Sequence, residues 1–146
     1  METQKGWLER RQYERVDDAL KIFLYPIKET ASEVMNSADY KDTTPEKLIS
    51  DKTKNPYVQS MTQDISQGGM SIITETPLAQ GQLVIIDLYL PKIMKPVRLL
   101  AEVRHIDANI KGSTSNKAGV KILSINKSDL KRIENYIFEL KMQRGG

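Results

Sequence analysis

Short runs of β-forming residues follow one another along most of this chain, and their alternation limits its possible folds more than any other feature. In the strongest run, Leu83–Leu90, aliphatic side chains occupy every second position from Val84, whereas Asp87 and Tyr89 point to the opposite face. The five runs are Leu20–Tyr25, Met70–Glu75, Leu83–Leu90, Val97–Arg104 and Ala118–Ile125. Several strands joined by turns favour an antiparallel sheet or a small barrel, and a barrel leaves no unpaired edge.

Two turn signals bound these runs. Pro26 marks the expected end of the first strand, and residues 109–117, rich in Gly, Ser, Asn and Lys, predict a hairpin loop. The pattern then changes to a helical period at the C-terminus.

The C-terminal segment 128–143 predicts an amphipathic helix. Its apolar stripe is made by Leu130, Ile133, Ile137 and Leu140. Ser128 is the expected N-cap, and the helix is expected to end at Gly145-Gly146. We expect the stripe to cover an open end of the barrel. Pairing with the helix of another chain is the alternative, although two heptads are too few to favour it.

Residues 29–56 interrupt the series of strands. Thr30 to Ala38 predicts a short helix with Thr30 or Ser32 as N-cap, and Thr44-Pro45 is a good start signal for a second one. Because the segment has few large apolar residues, we interpret it as an insertion in a single domain that spans residues 1–146 and not as a second domain.

Composition places the chain among ordinary globular proteins, with 39% hydrophobic and 28% charged residues and no cysteine. The sequence therefore offers no disulfide or thiolate metal site, no apolar run long enough for a membrane span and no signal peptide, so a cytoplasmic location is the default expectation. Residues 92–121 carry seven Lys or Arg against two carboxylates, whereas residues 29–56 carry four lysines against six carboxylates. This asymmetry suits a small anionic ligand better than a long nucleic acid.

Two polar motifs carry the chemistry. Arg10-Arg11-Gln12-Tyr13-Glu14-Arg15 contains an R-x-x-x-R, and Asp64-Ile65-Ser66-Gln67-Gly68-Gly69 is a D-x-S-x-x-G before a strand. A guanidinium binds a phosphate or the O6 and N7 of guanine through two hydrogen bonds and stacks on a base. A carboxylate accepts hydrogen bonds from the N1 and N2 of guanine, a hydroxyl adds one more, and glycines allow a positive φ and a close approach of the backbone.

In this order, and each beside a predicted strand, the two motifs resemble those of the PilZ family, whose members are small β-barrel receptors for the bacterial second messenger cyclic di-GMP. The resemblance runs from about Glu9 to the C-terminal helix. It implies a mainly β fold, a six-stranded antiparallel PilZ-type β-barrel with a C-terminal α-helix and, here, a partly helical insertion.

The resemblance also implies which residues contact the ligand. The matching positions are Arg11, Arg15, Asp64, Ser66 and Gly69, with Gly68 beside them. Arg10, which precedes the R-x-x-x-R, occupies the family position associated with stoichiometry, where arginine favours a stacked ligand dimer. The ordinary alternatives are surface ion pairs, such as Arg10 or Arg11 with Glu14, and plain turn chemistry at Asp64–Gly69.

The spacing of the motifs departs from the family. Arg15 and Asp64 are 49 positions apart because of the insertion, which could gate the ligand, block it or bind a partner.

An enzyme is not expected. His105, the only histidine, reads as a strand-end residue, and Asp17 and Asp18 would point to opposite faces of a strand. The sequence contains no P-loop or G-x-G-x-x-G, and we expect no metal or cofactor.

The function that the sequence predicts is binding of cyclic di-GMP. Residues 1–15 carry little apolar surface, so we expect them to be mobile without ligand and to be ordered by it, which would change the affinity for an unidentified downstream protein. One alternative is a ligand-independent adaptor for a motility, secretion or polysaccharide-synthesis protein. Another is an oligonucleotide-binding barrel, although only 6% of residues are aromatic. The oligomeric state and the cellular output, such as motility or biofilm regulation, are left open.

Overall fold

Six long strands form a closed barrel in the computed structural model, which describes residues 15–36, 45–53, 56–107 and 115–144. The strands are β1 Val16–Asp17, β2 Lys21–Thr30, β3 Val58–Ile65, β4 Gly69–Thr74, β5 Gln82–Leu88, β6 Val97–Asp107 and β7 Asn116–Ile125. The helices are α1 Ala31–Asn36, α2 Pro45–Lys52 and α3 Lys127–Gln143.

The sheet runs in the order β1-β3-β2-β5-β6-β7-β4, and β4 pairs back with β3, which closes the barrel. Every pairing is antiparallel. The short strand β1 lies outside the closed ring and pairs with the end of β3. The predicted six-stranded antiparallel barrel with a C-terminal helix is therefore confirmed.

The barrel interior is filled by alternate side chains of all six strands. On β5 these are Val84, Ile86 and Leu88, each fully buried. Leu83 and Ile85 on the opposite face of β5 are buried as well, in a second apolar cluster outside the barrel. From the sequence, only Asp87 and Tyr89 were assigned to this outer face.

The second cluster is where the insertion meets the barrel. Leu48 of α2 packs with Tyr25, Ile85 and Leu100 on the outer wall formed by β2, β5 and β6. The first helix of the insertion begins where predicted: the Glu33 N–H donates to Thr30 Oγ1 at 3.1 Å, so Thr30 caps α1. The boundaries of the insertion at 29–56 and of the N-terminal segment at 1–15 stay predictions.

Helix α3 contributes to the interior. Ile133 and Ile137 belong to the interior cluster and Leu140 packs against it, as predicted, whereas Leu130, the first residue of the predicted stripe, is only half-buried and belongs to neither apolar cluster. The predicted cap was wrong. Asn126 is the N-cap, with its Oδ1 accepting from the Asp129 N–H at 2.8 Å, and Ser128 donates its hydroxyl to the same oxygen.

Several strand boundaries differ from the prediction, and two of these differences concern residues that the sequence singled out. Strand β2 continues through Pro26 to Thr30; Pro26 lies opposite Val84, where the register with β5 becomes irregular, a position at which sheets tolerate proline. Strand β1 contains Asp17 but not Asp18, so the two carboxylates do not share a strand.

Candidate functional site

The turn between β3 and β4 is built by Ser66. Its backbone N–H donates to the Gly69 carbonyl at 2.8 Å, and its Oγ accepts from the N–H groups of Gly68 and Gly69, both at 3.2 Å. The same hydroxyl donates to the Gly69 carbonyl at 3.1 Å. Ser66 is buried, so its side chain fixes the shape of the turn, as expected for serine in turns. Its predicted contact with a ligand stays a prediction.

Gly69 is required for a reason that the sequence did not reveal. A Cβ at this position would collide with the Val120 carbonyl oxygen and lie 3.3 Å from the Lys121 Cα. Neither Gly68 nor Gly69 has a positive φ, so the expectation that they supply one is wrong. Gly69 instead allows β7 to approach, and the Ile122 N–H donates to the Gly68 carbonyl at 2.9 Å.

Asp64 is half-buried, and its Oδ1 accepts from the Ser71 N–H at 3.1 Å. The register between β3 and β4 shifts between Thr62 and Asp64, which identifies a bulge at Gln63. Such bulges re-aim side chains next to functional sites. Because Ile65 is buried in the barrel, Asp64 faces the outer surface, and its second carboxylate oxygen has no hydrogen-bond partner among the residues that the structure describes.

Strand β1 brings Arg15, the last residue of the first motif, close to this turn. Val16 pairs with Ile65 and Asp17 with Asp64, so exposed Arg15, just before Val16, leads to the same edge as the turn. The structure therefore brings Arg15, Asp64 and the Ser66–Gly69 turn together. Arg10 and Arg11, like all residues before Arg15, lie outside the described residues.

The outer surface continues across the next two strands. Ser71 lies opposite both Asp64 and Gly119, and Gly119 lies opposite His105. The His105 ring covers Gly119, since a Cβ there would lie 2.6 Å from His105 Nε2. His105 is exposed and lies within β6, two residues before its end, and not at the strand end that the sequence predicted.

Lys121 also lies beside this turn, although it was not among the site residues predicted from the sequence. It lies opposite Gly69 on one side and Glu102 on the other. The alternation of β7 indicates that Lys121 points outward, but nothing in a single sequence indicates that β7 is the neighbour of β4.

The described part of the insertion lies on a different wall. Helix α2 packs through Leu48 against Tyr25 of β2, Ile85 of β5 and Leu100 of β6, whereas the Asp64–Gly69 turn joins β3 to β4. Helix α2 therefore does not cover the turn.

A partly buried charge network, in which Asp87 is buried and Arg98 is exposed, stabilises that other wall. Arg98 binds Asp87 through Nε at 2.6 Å and Nη2 at 2.7 Å, and the Tyr25 hydroxyl donates to Asp87 Oδ2 at 3.1 Å. Burial, together with the Asp87 carboxylate, raises the pKa of Tyr25 above its ordinary value. The tyrosine thus keeps its proton and its hydrogen bond at neutral pH.

The described residues contain neither a cluster of metal-ligating side chains nor a helix that could span a membrane. In residues 15–36, 45–53, 56–107 and 115–144, no three His, Cys, Asp or Glu side chains are arranged to hold a metal ion. No helix within these same ranges has the length and apolar character needed to cross a membrane.

Comparison with known proteins agrees with the architecture. The family model described as PilZ domain matches residues 9–139. The structure is similar to the Bacillus subtilis inhibitor of motility MotI/DgrA, with a TM-score of 0.63 and 19% identity over 92% of this chain and 52% of that one. It is also similar to the PilZ domain of Escherichia coli YcgR with cyclic di-GMP, with a TM-score of 0.60 and 16% identity over 92% and 94% of the two chains.

A third similar structure is the K. pneumonia MrkH–cyclic di-GMP complex, with a TM-score of 0.58 and 16% identity over 93% of this chain and 54% of that one. The chain thus spans about half the length of MotI/DgrA and of MrkH. At these identities the likeness establishes the fold. No curated protein sequence matches the chain significantly.

Proposed function

The chain belongs to the PilZ domain family, and we propose that it is a receptor for cyclic di-GMP. One observation carries this proposal. Although Arg15 and Asp64 are 49 positions apart in the sequence, Val16 pairs with Ile65 and Asp17 with Asp64, so Arg15 and Asp64 lie at the same end of the β1–β3 pair. The insertion that lengthens this spacing does not separate them.

The chemistry of the edge supports the proposal. Arg15 is exposed and offers a planar fork of N–H donors to a phosphate or a guanine. One carboxylate oxygen of Asp64 accepts from the Ser71 N–H, and the other can accept hydrogen bonds from guanine N1 and N2. The two solved complexes named above, of the YcgR PilZ domain and of MrkH, contain cyclic di-GMP and share this fold.

We further propose how the signal is transmitted. Ligand phosphates and bases hold Arg11 and Arg15 against the Asp64–Gly69 turn, which orders residues 1–15 beside β1 and changes the affinity for a downstream protein. This is regulation by an order–disorder transition, and the domain acts as a receptor and not as an enzyme. An arginine at position 10 favours binding of a stacked ligand dimer.

Calorimetric titration with cyclic di-GMP tests the receptor proposal, with GTP and linear pGpG as controls. We expect selective binding in the micromolar range or tighter, with a stoichiometry near two ligands per chain if Arg10 acts as proposed. Absence of binding in both calorimetry and ligand-dependent melting would instead favour the ligand-independent adaptor.

A further inference from the structure

Lys121 is held next to the second motif by the strand that carries it. It pairs with Gly69 in the β4–β7 register. On one side of Lys121 the Val120 carbonyl lies against Gly69, and on the other side the Ile122 N–H donates to the Gly68 carbonyl at 2.9 Å. Strand β7 is therefore fastened to the turn on both sides of Lys121.

The side chain of Lys121 emerges on the outer surface. Val120 is buried in the barrel interior and Ile122 packs against it, so the residue between them points outward. On β4 the interior residues are Met70 and Ile72, which leaves Gly69 on the same outer surface as Lys121. Lys121 is exposed.

The charge of Lys121 is not neutralised by a neighbour. Glu102 lies opposite Lys121 on β6, but its Oε1 is bound by Arg104 Nε at 2.9 Å. Lys121 forms no ion pair with any residue that the structure describes.

We propose that Lys121 is a further ligand-binding residue that contacts a phosphate of the bound dinucleotide, an inference that rests on the proposed function. The strands β1, β3, β4 and β7 are successive neighbours, so Arg15 and Lys121 flank a strip about 14 Å wide. Cyclic di-GMP carries two phosphates. Arg15 contacts the ligand from the β1 side. Lys121 contacts it from the β7 side, where the flexible ammonium group of the lysine suits a phosphate oxygen.

Three variants test this role by calorimetric titration with cyclic di-GMP. Lys121→Gln removes the charge, and Lys121→Arg retains it. Lys117→Gln is the matched control, since Lys117 lies on the same outward face of β7, about 14 Å further along the strand. The melting temperature of each unliganded variant reports whether the barrel is intact.

We expect Lys121→Gln to weaken binding about tenfold, whereas Lys121→Arg and Lys117→Gln bind like the unmodified chain. The deficit of Lys121→Gln should shrink at high ionic strength, because salt screens exposed charges, and its unliganded melting temperature should be unchanged. If the unmodified chain binds and Lys121→Gln binds equally well, the inference about Lys121 is overturned while the receptor proposal stands. If the unmodified chain does not bind, both fail.

Discussion

Asp17 and Asp64 lie directly opposite each other across the β1–β3 pair, with both side chains on the outer surface of the barrel. Like charges in directly opposed positions destabilise an antiparallel pair by up to about 1 kcal/mol. A cationic group placed between them relieves this repulsion. Arg15 directly precedes β1, so its exposed guanidinium can approach this pair and offset part of the repulsion.

Removing one of these charges should therefore stabilise the free protein. Asp17→Asn is expected to raise the free energy of unfolding by about 0.2–1 kcal/mol at low ionic strength, and less at high salt. Urea unfolding without ligand measures this change. Asp107→Asn on β6, opposite Lys117, is the control and should not stabilise. A destabilised Asp17→Asn would contradict the proposed repulsion.

Gly69→Ala should damage the fold before it affects any ligand. The added methyl group meets the Val120 carbonyl, which is backbone of the neighbouring strand and cannot rotate away. We expect a loss of about 2–3 kcal/mol in the free energy of unfolding, measured by urea unfolding. Gly81→Asn is the comparison, because Gly81 has φ 87°, an added Cβ there would make only ordinary van der Waals contact with the Thr30 side chain at 3.7 Å, and asparagine tolerates a positive φ better than most residues. A Gly69→Ala variant as stable as the unmodified chain would exclude the steric role.

Ser66→Ala separates turn-building from ligand contact. The variant loses the hydroxyl that accepts from Gly68 and Gly69 and donates to the Gly69 carbonyl, so we expect a loss of about 1–2 kcal/mol in stability without ligand. Unfolding and calorimetry are measured on the same preparation. Weakened ligand binding with unchanged stability would show that Ser66 acts on the ligand and not through the turn.

The decrease in the free energy of unfolding above about pH 10 reports on the hydrogen bond between Tyr25 and Asp87. Burial and the Asp87 carboxylate raise the pKa of Tyr25 in the folded protein above its ordinary value. The protonated tyrosine therefore contributes to the free energy of unfolding below about pH 10, and this contribution is lost as the pH rises through the folded pKa. Tyr25→Phe should lower stability by about 1 kcal/mol at neutral pH and flatten the decline above pH 10.

Burial also raises the pKa of Tyr89, so Tyr89 should still cause part of the loss of stability above pH 10 in the Tyr25→Phe variant. Tyr57→Phe, which changes an exposed tyrosine, is the control for urea unfolding at several pH values. An unchanged alkaline decline in Tyr25→Phe would contradict the role of this hydrogen bond.

The sequence predicted the barrel and α3 because local alternation reports which side chains face the interior. It misplaced details that depend on contacts between distant segments. The second cluster around Ile85 exists because Leu48 of the insertion packs on it, and no local pattern in β5 indicates that partner. Pro26 was predicted to end β2, but the strand continues through it to Thr30, and the register with β5 is irregular after Pro26.

The site was predicted only in part for the same reason. The motifs identified Arg15 and Asp64, whose proximity depends on the two-residue strand β1. Lys121 carries no motif, and its position beside Gly69 follows from the closure of the barrel. The need for Gly69 likewise comes from Val120, which is 51 positions away in the sequence.

The most direct test of the receptor account is calorimetric titration of Arg15→Ala with cyclic di-GMP beside the unmodified chain, with Arg144→Ala as the matched control. Arg144 is an exposed arginine at the end of α3. Loss of a charge-assisted contact to the ligand predicts binding at least about 30-fold weaker in Arg15→Ala, and unchanged binding in Arg144→Ala. Equal affinity of Arg15→Ala and the unmodified chain would contradict the site.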